Sequence, residues 1–213
     1  MKKCETLISL QNQGIVAVIR GRSENGIEKT IEAIKEGGIR AIEITSTVPN
    51  ADLLIASLVE KDAELLVGAG TVIDAITARL CIMRGASYIV SPSFSKEVAK
   101  ICNLYCIPYI PGVATPSQIC EAMEWGSSLL KLFPASNFPP SIIKDFLAPF
   151  PQCSFMPTGG ISLENAGAWI KSGAKVIGVG GLLTKGAKSG DYALVKETAK
   201  LFVKEVEKAR GGN

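Results

Sequence analysis

Eight short apolar runs recur along this chain at intervals of about 20–28 residues. Each is rich in β-branched and aliphatic residues and ends in Gly, Pro, Ser, Thr or a charged residue, which is typical of buried strands. Longer stretches between them have helical periodicity. These are Ile27, Ile31 and Ile34, then Leu53, Leu54 and Leu58, and finally Leu194, Ala199, Leu201, Phe202 and Val206. Strands alternating with helices predict a parallel β/α architecture. The runs are Ile15–Ile19, Ile39–Ile44, Leu65–Gly68, Tyr88–Val90, Ile107–Ile110, Leu129–Phe133, Phe155–Pro157 and Val176–Val179.

The count of eight predicted strands favours a closed (β/α)8 TIM barrel. An open doubly wound sheet is the alternative, but it usually carries a glycine-rich dinucleotide turn after its first strand, and residues 20–24 read Arg-Gly-Arg-Ser-Glu. The leading stretch Lys2–Gln13 predicts an extra N-terminal helix that could plug the bottom of the barrel. No linker or low-complexity tract interrupts the chain, so we expect a single domain over residues 1–213.

The amino-acid composition excludes several kinds of catalytic and binding site. The 213 residues include no histidine, which excludes His-assisted nucleophiles and imidazole metal sites. The net charge is +3 with scattered Lys and Arg, so binding to nucleic acid or to an acidic membrane has little support. The six cysteines form no Cys-x-x-Cys pair, and neither a signal peptide nor a membrane-spanning segment is evident. We therefore expect reduced thiols and a cytoplasmic location.

Lys131 stands inside one of the apolar runs. A buried ammonium is costly, so a chain keeps one only if it is paired or used. A lysine whose surroundings disfavour its proton is a nucleophile for ketones and aldehydes. Leu130, Leu132 and Phe133 are expected to desolvate this amine, and Arg20 to repel its positive charge.

In a barrel of this kind, functional residues lie at the carboxyl ends of the strands. These ends combine one lysine, one carboxylate, one arginine, several hydroxyl groups and two Gly-Gly steps, a set that ordinary loop ends seldom collect. They hold Arg20, Glu43, Thr45, Thr47, Gly70, Thr71, Ser91, Pro92, Pro111, Gly112, Lys131, Phe133, Thr158, Gly159, Gly160, Gly180 and Gly181.

An amine beside a carboxylate in a dry pocket suits Schiff-base carbon–carbon chemistry. Glu43 is the candidate general acid/base. Thr71 is a candidate donor to a substrate carboxylate, and Pro92 and Phe133 form a candidate apolar wall against a small keto acid. The Gly-Gly steps follow the seventh and eighth predicted strands, where many barrels bind phosphate through backbone N–H groups.

Each residue also has a plainer explanation. Lys131 and Glu43 could form only a structural ion pair, and Thr71 could be a turn or N-cap residue ahead of a helix at Asp74. The other candidates could be solvated loop charges, loop prolines, an ordinary core aromatic and turn glycines. These are Arg20, Arg22, Pro92, Pro111, Phe133, Gly159, Gly160, Gly180 and Gly181.

At these positions the chain resembles the class I 2-keto-3-deoxy-6-phosphogluconate aldolases, which include the 4-hydroxy-2-oxoglutarate aldolases. The matching stretches run in family order from about Gly14 to Gly181. They are Val18-Ile19-Arg20, Gly37-Gly38-Ile39-Arg40-Ala41-Ile42-Glu43-Ile44-Thr45, Val67-Gly68-Ala69-Gly70-Thr71-Val72, Ile89-Val90-Ser91-Pro92, Ile110-Pro111-Gly112-Val113-Ala114-Thr115-Pro116, Leu130-Lys131-Leu132-Phe133-Pro134-Ala135 and Pro157-Thr158-Gly159-Gly160-Ile161.

The resemblance implies a (β/α)8 barrel that assembles as a homotrimer and uses no metal or organic cofactor. It implies reversible cleavage of 2-keto-3-deoxy-6-phosphogluconate to pyruvate and glyceraldehyde 3-phosphate. Lys131 matches the Schiff-base lysine and Glu43 the catalytic acid/base. Residues matching the pyruvyl contacts and the phosphate-binding step are Thr71, Pro92, Phe133, Gly159 and Gly160.

Two departures from the family pattern concern substrate binding. Some members carry an arginine that grips the carboxylate where this chain has Thr47, so Arg20 is the candidate for the positive charge, toward either anionic end of the substrate. The loop after the eighth strand often has a serine beside the phosphate, whereas residues 180–183 here read Gly-Gly-Leu-Leu. Backbone N–H groups of Gly180 and Gly181 are then the candidate phosphate donors.

Several functions fit this set of residues. The leading one is the lyase described above, with 4-hydroxy-2-oxoglutarate or the phosphogalactonate epimer as alternative substrates. A phosphate-binding epimerase or isomerase is less well supported, because such enzymes commonly use paired acids or a metal at the strand ends. A non-catalytic protein that binds phosphorylated sugar acids is the third possibility, with Lys131 as a salt-bridged anchor.

Overall fold

The computed structural model describes residues 2–21 and 24–211, with only the backbone of residues 24 and 25. Parallel strands alternate with helices along the chain, as predicted. The strands are β1 (Ile15–Ile19), β2 (Ala41–Thr45), β3 (Leu66–Gly70), β4 (Ile89–Val90), β5 (Tyr109–Ile110), β6 (Gly112–Val113), β7 (Leu129–Leu132), β8 (Ser154–Pro157) and β9 (Ile177–Val179). The α-helices are α1 (Lys2–Gln13), α2 (Glu24–Glu36), α3 (Ala51–Lys61), α4 (Ala75–Met83), α5 (Lys96–Leu104), α6 (Pro116–Glu124), α7 (Ile142–Leu147), α8 (Leu163–Lys171) and α9 (Tyr192–Ala209).

Seven of the eight predicted runs differ by one or more residues from the observed strands. β2 begins at Ala41 rather than Ile39, β3 continues to Gly70, and the fifth run shortens to β5, after which an unpredicted strand, β6, follows Pro111. Proline has no N–H to give to a ladder, which accounts for the break. Its carbonyl still accepts a hydrogen bond of 2.9 Å from the Lys131 backbone N–H, so the chain pairs with β4 before Pro111 and with β7 after it.

The strands lie in a six-stranded sheet, ordered β5-β4-β3-β2-β1-β9, and a three-stranded sheet, ordered β6-β7-β8. A parallel bridge between Thr158 and Gly178 links the end of β8 to β9. The Thr158 hydroxyl occupies the place where a side chain on residue 178 would stand, so glycine is needed there for the two strands to approach.

The strands present alternate residues to two cores. One core lies between the strands and the helices. A second, smaller cluster contains only the residues of opposite orientation, together with Leu10 of α1. Its members are Leu10, Val16, Ala41, Tyr88, Val90, Ile110, Leu129, Met156 and Val176. We call the face that carries this cluster the inner face.

The helical periodicities hold only in part. Ile27, Ile31 and Ile34 of α2 are all buried, as their spacing predicts. In contrast, Leu194 and Leu201 of α9 are about half exposed. No helix among residues 2–21 and 24–211 combines the length and apolar character needed to cross a membrane.

Candidate active site

The site begins with two buried ionisable side chains on the inner face. Glu43 lies in β2, between Val18 of β1 and Gly68 of β3, and Lys131 lies in β7, between Gly112 of β6 and Met156 of β8. Glu43 is 0 % exposed and Lys131 is 2 % exposed. Lys131 Nζ lies 3.5 Å from Glu43 Oε1, so the contact crosses the interior from one sheet to the other.

This ion pair is a loose one. Neither Glu43 oxygen accepts a hydrogen bond from any described residue. A charge-assisted hydrogen bond normally measures about 2.7–2.9 Å, and a buried structural ion pair is stabilising only when its remaining polar positions are satisfied. The distance and the two unpartnered oxygens therefore favour a carboxylate that is available for chemistry over a purely structural pair.

Two glycines on β3 make room beside Glu43. Gly70 stands where any side chain would collide with the Glu43 carboxylate, and Gly68 stands where it would collide with the Tyr88 ring. Both glycines are on the inner face, because residues two apart on a strand point the same way. Without side chains here, the carboxylate and the phenol can occupy the interior.

The expectation that Leu130 and Leu132 desolvate the amine is wrong. Both lie in the core between strands and helices, because alternation turns them away from Lys131. Phe133 follows Lys131 by two residues and does contact the amine, since Lys131 Nζ lies 5.2 Å from the centre of its ring. Burial of the amine thus comes from Phe133 and the inner-face residues.

Thr71 lies directly after β3 with an unusual backbone conformation. Its φ is 58°, a region that β-branched residues rarely adopt and that is often found at functional sites. Its carbonyl accepts a 2.8 Å hydrogen bond from the Ser46 hydroxyl of the neighbouring loop. Thr71 is not the helix N-cap, because that position is filled by Asp74, whose side chain accepts from the backbone N–H of Thr77.

Thr47 is exposed at the end of β2, and its hydroxyl lies 2.8 Å from that of Thr45. The Thr45 hydroxyl donates its proton to the Ile19 carbonyl, at 3.0 Å. It must therefore accept from Thr47, since a hydroxyl has one proton to donate. Thr47 thus gives its only hydroxyl proton to Thr45, and its oxygen remains an acceptor.

Pro92 is held against the strand next to Lys131. Its carbonyl occupies the place of a side chain at Gly112, which is the register partner of Lys131 in β6. Pro92 is half-buried, so part of its ring is accessible at the end of β4. Phe133 thus contacts the amine, whereas Pro92 lies against the strand that neighbours Lys131.

The two Gly-Gly steps follow adjacent strands, as the Thr158–Gly178 bridge requires. Gly159 and Gly160 have φ values of 93° and 78°, which glycine adopts readily. Gly159 lies over Phe133, at 3.6 Å from the place of its absent side chain. Among the turn and loop hydrogen bonds of the described residues, none has the backbone N–H of Gly160, Gly180 or Gly181 as donor.

Arg20 is exposed at the end of β1 and forms no ion pair with a described side chain. It lines a cleft of about 210 Å³ together with Gly21, Ile27, Thr184 and Lys188. No contact joins it to Lys131, so the predicted repulsion between them has no direct support. Arg22 lies outside the described residues.

All six cysteines are free thiols. Burial raises the pKa of Cys102 to about 12 and that of Cys81 to about 11, so both stay protonated near neutral pH. Within the described part of the chain, no three Cys, Asp or Glu side chains are grouped closely enough to hold a metal ion.

The site residues predicted from the sequence do not include Tyr88, Ser46 or Gly68. For Tyr88 a signal exists: it alternates with Val90 in a predicted strand, and this alternation places both side chains on the inner face. The contact between Ser46 and Thr71 joins two loops 25 residues apart, and no local pattern indicates it.

Comparison with known proteins relates this chain to one family of enzymes. The family model described as KDPG and KHG aldolase matches residues 8–198. The 2-dehydro-3-deoxy-phosphogluconate aldolase of Pseudomonas aeruginosa is 35% identical over 190 residues, covering 87% of this chain and 86% of that protein.

Solved structures agree. A native KDPGal structure superposes with a TM-score of 0.87 at 28% identity, covering 92% of this chain and 96% of the other. KDPG aldolase from Legionella pneumophila, with pyruvate captured at low pH as a covalent carbinolamine intermediate, gives a TM-score of 0.79 at 28% identity and covers 88% and 92%. By family model, sequence identity and fold, this chain belongs to the family of KDPG and KHG aldolases.

Proposed function

We propose that this chain is a class I aldolase that reversibly cleaves 2-keto-3-deoxy-6-phosphogluconate to pyruvate and glyceraldehyde 3-phosphate. The observation that carries the proposal is the loose contact of 3.5 Å between the buried Lys131 amine and the buried Glu43 carboxylate. The names of the relatives and the pyruvate carbinolamine of the Legionella protein support the same chemistry.

Lys131 is the proposed nucleophile. Its neutral amine attacks the C2 ketone to form a carbinolamine, and loss of water then gives an iminium ion on Nζ. Phe133 borders the amine and limits access of water to it. The iminium withdraws electrons from C3 and so prepares the C3–C4 bond for cleavage.

Glu43 is the proposed acid/base. Its carboxylate takes the proton of the C4 hydroxyl, the C3–C4 bond breaks, and the bonding electrons pass into an enamine on Lys131. Glyceraldehyde 3-phosphate leaves with the new carbonyl. Glu43 then returns the proton to C3, and water hydrolyses the iminium to release pyruvate. Its two unpartnered oxygens support this role, because they have no competing protein donor.

The pyruvyl end is proposed to lie among the residues at the ends of β2, β3, β4 and β7. Thr71, held in its αL conformation by the loop after β2, is the donor to the carboxylate, with Thr47 beside it. Pro92 and Phe133 form the apolar wall, and the exposed Arg20 supplies positive charge at the rim.

The phosphate is proposed to bind at the glycine steps after β8 and β9. Gly159 and Gly160 form one step and Gly180 and Gly181 the other, and the two loops follow bridged strands. The backbone N–H groups of Gly160, Gly180 and Gly181 have no acceptor among the described turn and loop hydrogen bonds. Free N–H groups in a concave loop suit a phosphate. Gly180-Gly181 is followed by Leu182 and Leu183, so no serine hydroxyl adds to these donors in that turn.

The phosphogalactonate epimer is the second candidate substrate, because the native KDPGal structure superposes so closely. Cleavage of 4-hydroxy-2-oxoglutarate to pyruvate and glyoxylate is a further proposed activity, supported by the family description. A non-catalytic phospho-sugar-acid binding role is less well supported, because an anchoring ion pair would be expected to be hydrogen-bonded.

The test is a set of cleavage rates on the three compounds, with pyruvate release as the readout. We expect the highest kcat/KM on 2-keto-3-deoxy-6-phosphogluconate, the same rate with EDTA present, and no turnover by Lys131→Met. Tight binding of all three compounds without pyruvate release by the unaltered protein would instead favour the binding-protein alternative.

We also propose that the nine strands close into one eight-stranded (β/α)8 barrel, with β5 and β6 as a single interrupted strand. The Thr158–Gly178 bridge on one side and the continuous chain through Pro111 on the other support closure. Leu10 packs in the inner cluster, which supports α1 as the cover of the amino-terminal end. The chain is then a single domain over residues 1–213.

A homotrimer in the cytoplasm completes the proposal. An apolar patch on and beside α4 consists of Ile73, Ile76, Leu80 and Met83, with Ile76 83 % and Ile73 67 % exposed. Isolated exposed apolar residues are ordinary, but a contiguous patch on one helix supports contact with another copy of the chain.

The free thiols support the proposed cytoplasmic location, because the cytoplasm is reducing.

A further inference from the structure

Tyr88 is a buried phenol for which the aldol reaction has no direct use. It is 0 % exposed and immediately precedes β4, with its side chain on the inner face. Its hydroxyl makes no hydrogen bond with any described residue. An unsatisfied buried hydroxyl costs about 1–3 kcal/mol, so this one calls for a partner.

The carboxylate of Glu43 lies close enough to act on this phenol. The Tyr88 ring lies against Gly68, which is the register partner of Glu43, and the carboxylate lies against Gly70, one inner-face position further along β3. The phenol therefore stands one layer below the carboxylate. Burial, and then the nearby Glu43 charge, raise the pKa of Tyr88 well above its usual value, so the phenol keeps its proton and has it available to donate.

Three buried polar atoms in this small region lack protein partners: the Tyr88 hydroxyl and both oxygens of Glu43. Buried water is commonly found where several such groups converge, and it typically makes about three hydrogen bonds. One water between the two layers would accept from the phenol and donate to the carboxylate. The groups that are otherwise unsatisfied would then satisfy one another.

We propose that Tyr88 is a positioning residue for Glu43, acting through one buried water that accepts from the phenol and donates to a carboxylate oxygen. The proposal rests on the acid/base role of Glu43 proposed above. The water would hold one carboxylate oxygen of Glu43 from the side of Tyr88. The other oxygen would then face Lys131 and the substrate. Among the described residues, the titratable side chains that interact with Glu43 are Lys131 across the interior and Tyr88 beneath it.

The test variant is Tyr88→Phe, which removes the hydroxyl and keeps the ring against Gly68. Two rates are measured: exchange of the pyruvate C3 protons with D2O, which requires the acid/base, and cleavage of the sugar acid. We expect both to fall about tenfold, since a hydrogen bond to a charged group is worth about that factor or more. KM should change by less than about twofold, because Tyr88 lies below the substrate.

A replacement that keeps the hydroxyl separates positioning from mere packing. Replacing Tyr88 by 3-fluorotyrosine retains the donor, so the exchange rate should stay close to that of the unaltered protein while the rate of Tyr88→Phe falls. This second replacement keeps the hydroxyl and tests the same point if Tyr88→Phe does not fold.

The matched control is Tyr109→Phe. Tyr109 is also buried, but its hydroxyl accepts from the Ser95 backbone N–H at 3.1 Å and donates to the Ser93 carbonyl at 3.2 Å. Its loss should lower the melting temperature without changing the exchange rate. Unchanged exchange and cleavage rates in Tyr88→Phe, with normal pyruvate trapping on Lys131, would overturn the positioning role alone. Failure of the unaltered protein to trap pyruvate would overturn the proposed function instead.

Discussion

The carboxylate of Glu43 is placed by residues that have no side chains. Gly70 leaves the space that the carboxylate fills, and Gly68 leaves the space for Tyr88 beneath it. Reaction rates are sensitive to shifts of about 1 Å in a catalytic group. At the residue scale, the site therefore depends on β3 as much as on the strands that carry Glu43 and Lys131.

Gly70→Ala tests this dependence. The new methyl group would collide with the Glu43 carboxylate and displace it from Lys131, so we expect kcat/KM to fall by about 100-fold or more. Steady-state cleavage kinetics and a thermal melt measure the effect. The control is Gly167→Ala in α8, where an added methyl would meet neighbours at 3.8 Å, an ordinary contact. Equal activity in the two variants would show that the glycine is not needed for the carboxylate.

The sequence was sufficient to predict Lys131 and Glu43 as a pair, because each stands near the carboxyl end of an apolar run that predicts a strand. It was not sufficient to predict the loose contact, because alternation fixes the face of a side chain and not the distance between two tips. The same limit explains the error at Leu130 and Leu132. They neighbour Lys131 in sequence, but alternation turns them to the opposite core.

At the scale of elements, helix termini and strand breaks hold the loops that carry the site. Asp74 caps α4 just after Thr71, accepting from the backbone N–H of Thr77 at 2.8 Å and from its hydroxyl at 2.7 Å. The cap fixes where the helix begins and so limits the loop that contains Thr71. These hydrogen bonds, the backbone one first, lower the pKa of Asp74.

Asp74→Ala should destabilise the protein by about 1 kcal/mol at pH 7, the usual cost of losing an N-cap. Because the pKa is lower in the folded state, the stabilisation is complete above the unfolded value of about 3.9 and is lost as pH falls through the folded value. The difference from the unaltered protein should therefore shrink in acid. Urea unfolding at neutral and acidic pH measures it.

Asp74→Asn is the matched control, because an asparagine caps a helix without titrating. It should keep most of the stability at pH 7 and show no loss of the cap in acid. A pH-independent deficit in Asp74→Ala would contradict the account of this cap.

The split strand around Pro111 was also beyond sequence reasoning. The apolar run predicted one strand ending at Ile110, and proline is an ordinary signal for a strand end. Pairing resumes after it because the Pro111 carbonyl can still accept from Lys131 even though its nitrogen cannot donate. Local patterns do not reveal which partner strand supplies that donor.

For the whole molecule, the alternation of strands and helices was predictable from the spacing of the apolar runs, whereas assembly was not. The apolar residues of the patch on α4 fit an ordinary helical pattern, so the sequence does not distinguish them from core residues. Their exposure is seen only once the neighbouring helices are in place. Ile76 and Met83 are 83 % and 65 % exposed, on a helix whose buried residues are Ala78 and Cys81.

Sedimentation of the purified protein should give the mass of three chains. Ile76→Glu should shift the distribution toward monomers at micromolar concentration, because a charge in an apolar interface is left without a partner. Leu201→Glu, at an exposed apolar site on α9, is the control and should leave the mass unchanged. A monomer at all concentrations would contradict the proposed trimer.

The most direct measurement is borohydride reduction in the presence of pyruvate, followed by peptide mass spectrometry. We predict one reduced pyruvyl group per chain, located on Lys131, with no adduct in Lys131→Met and none without pyruvate. The buried amine beside Glu43 would then be the nucleophile. An unmodified Lys131 under conditions in which the protein cleaves its substrate would contradict the account.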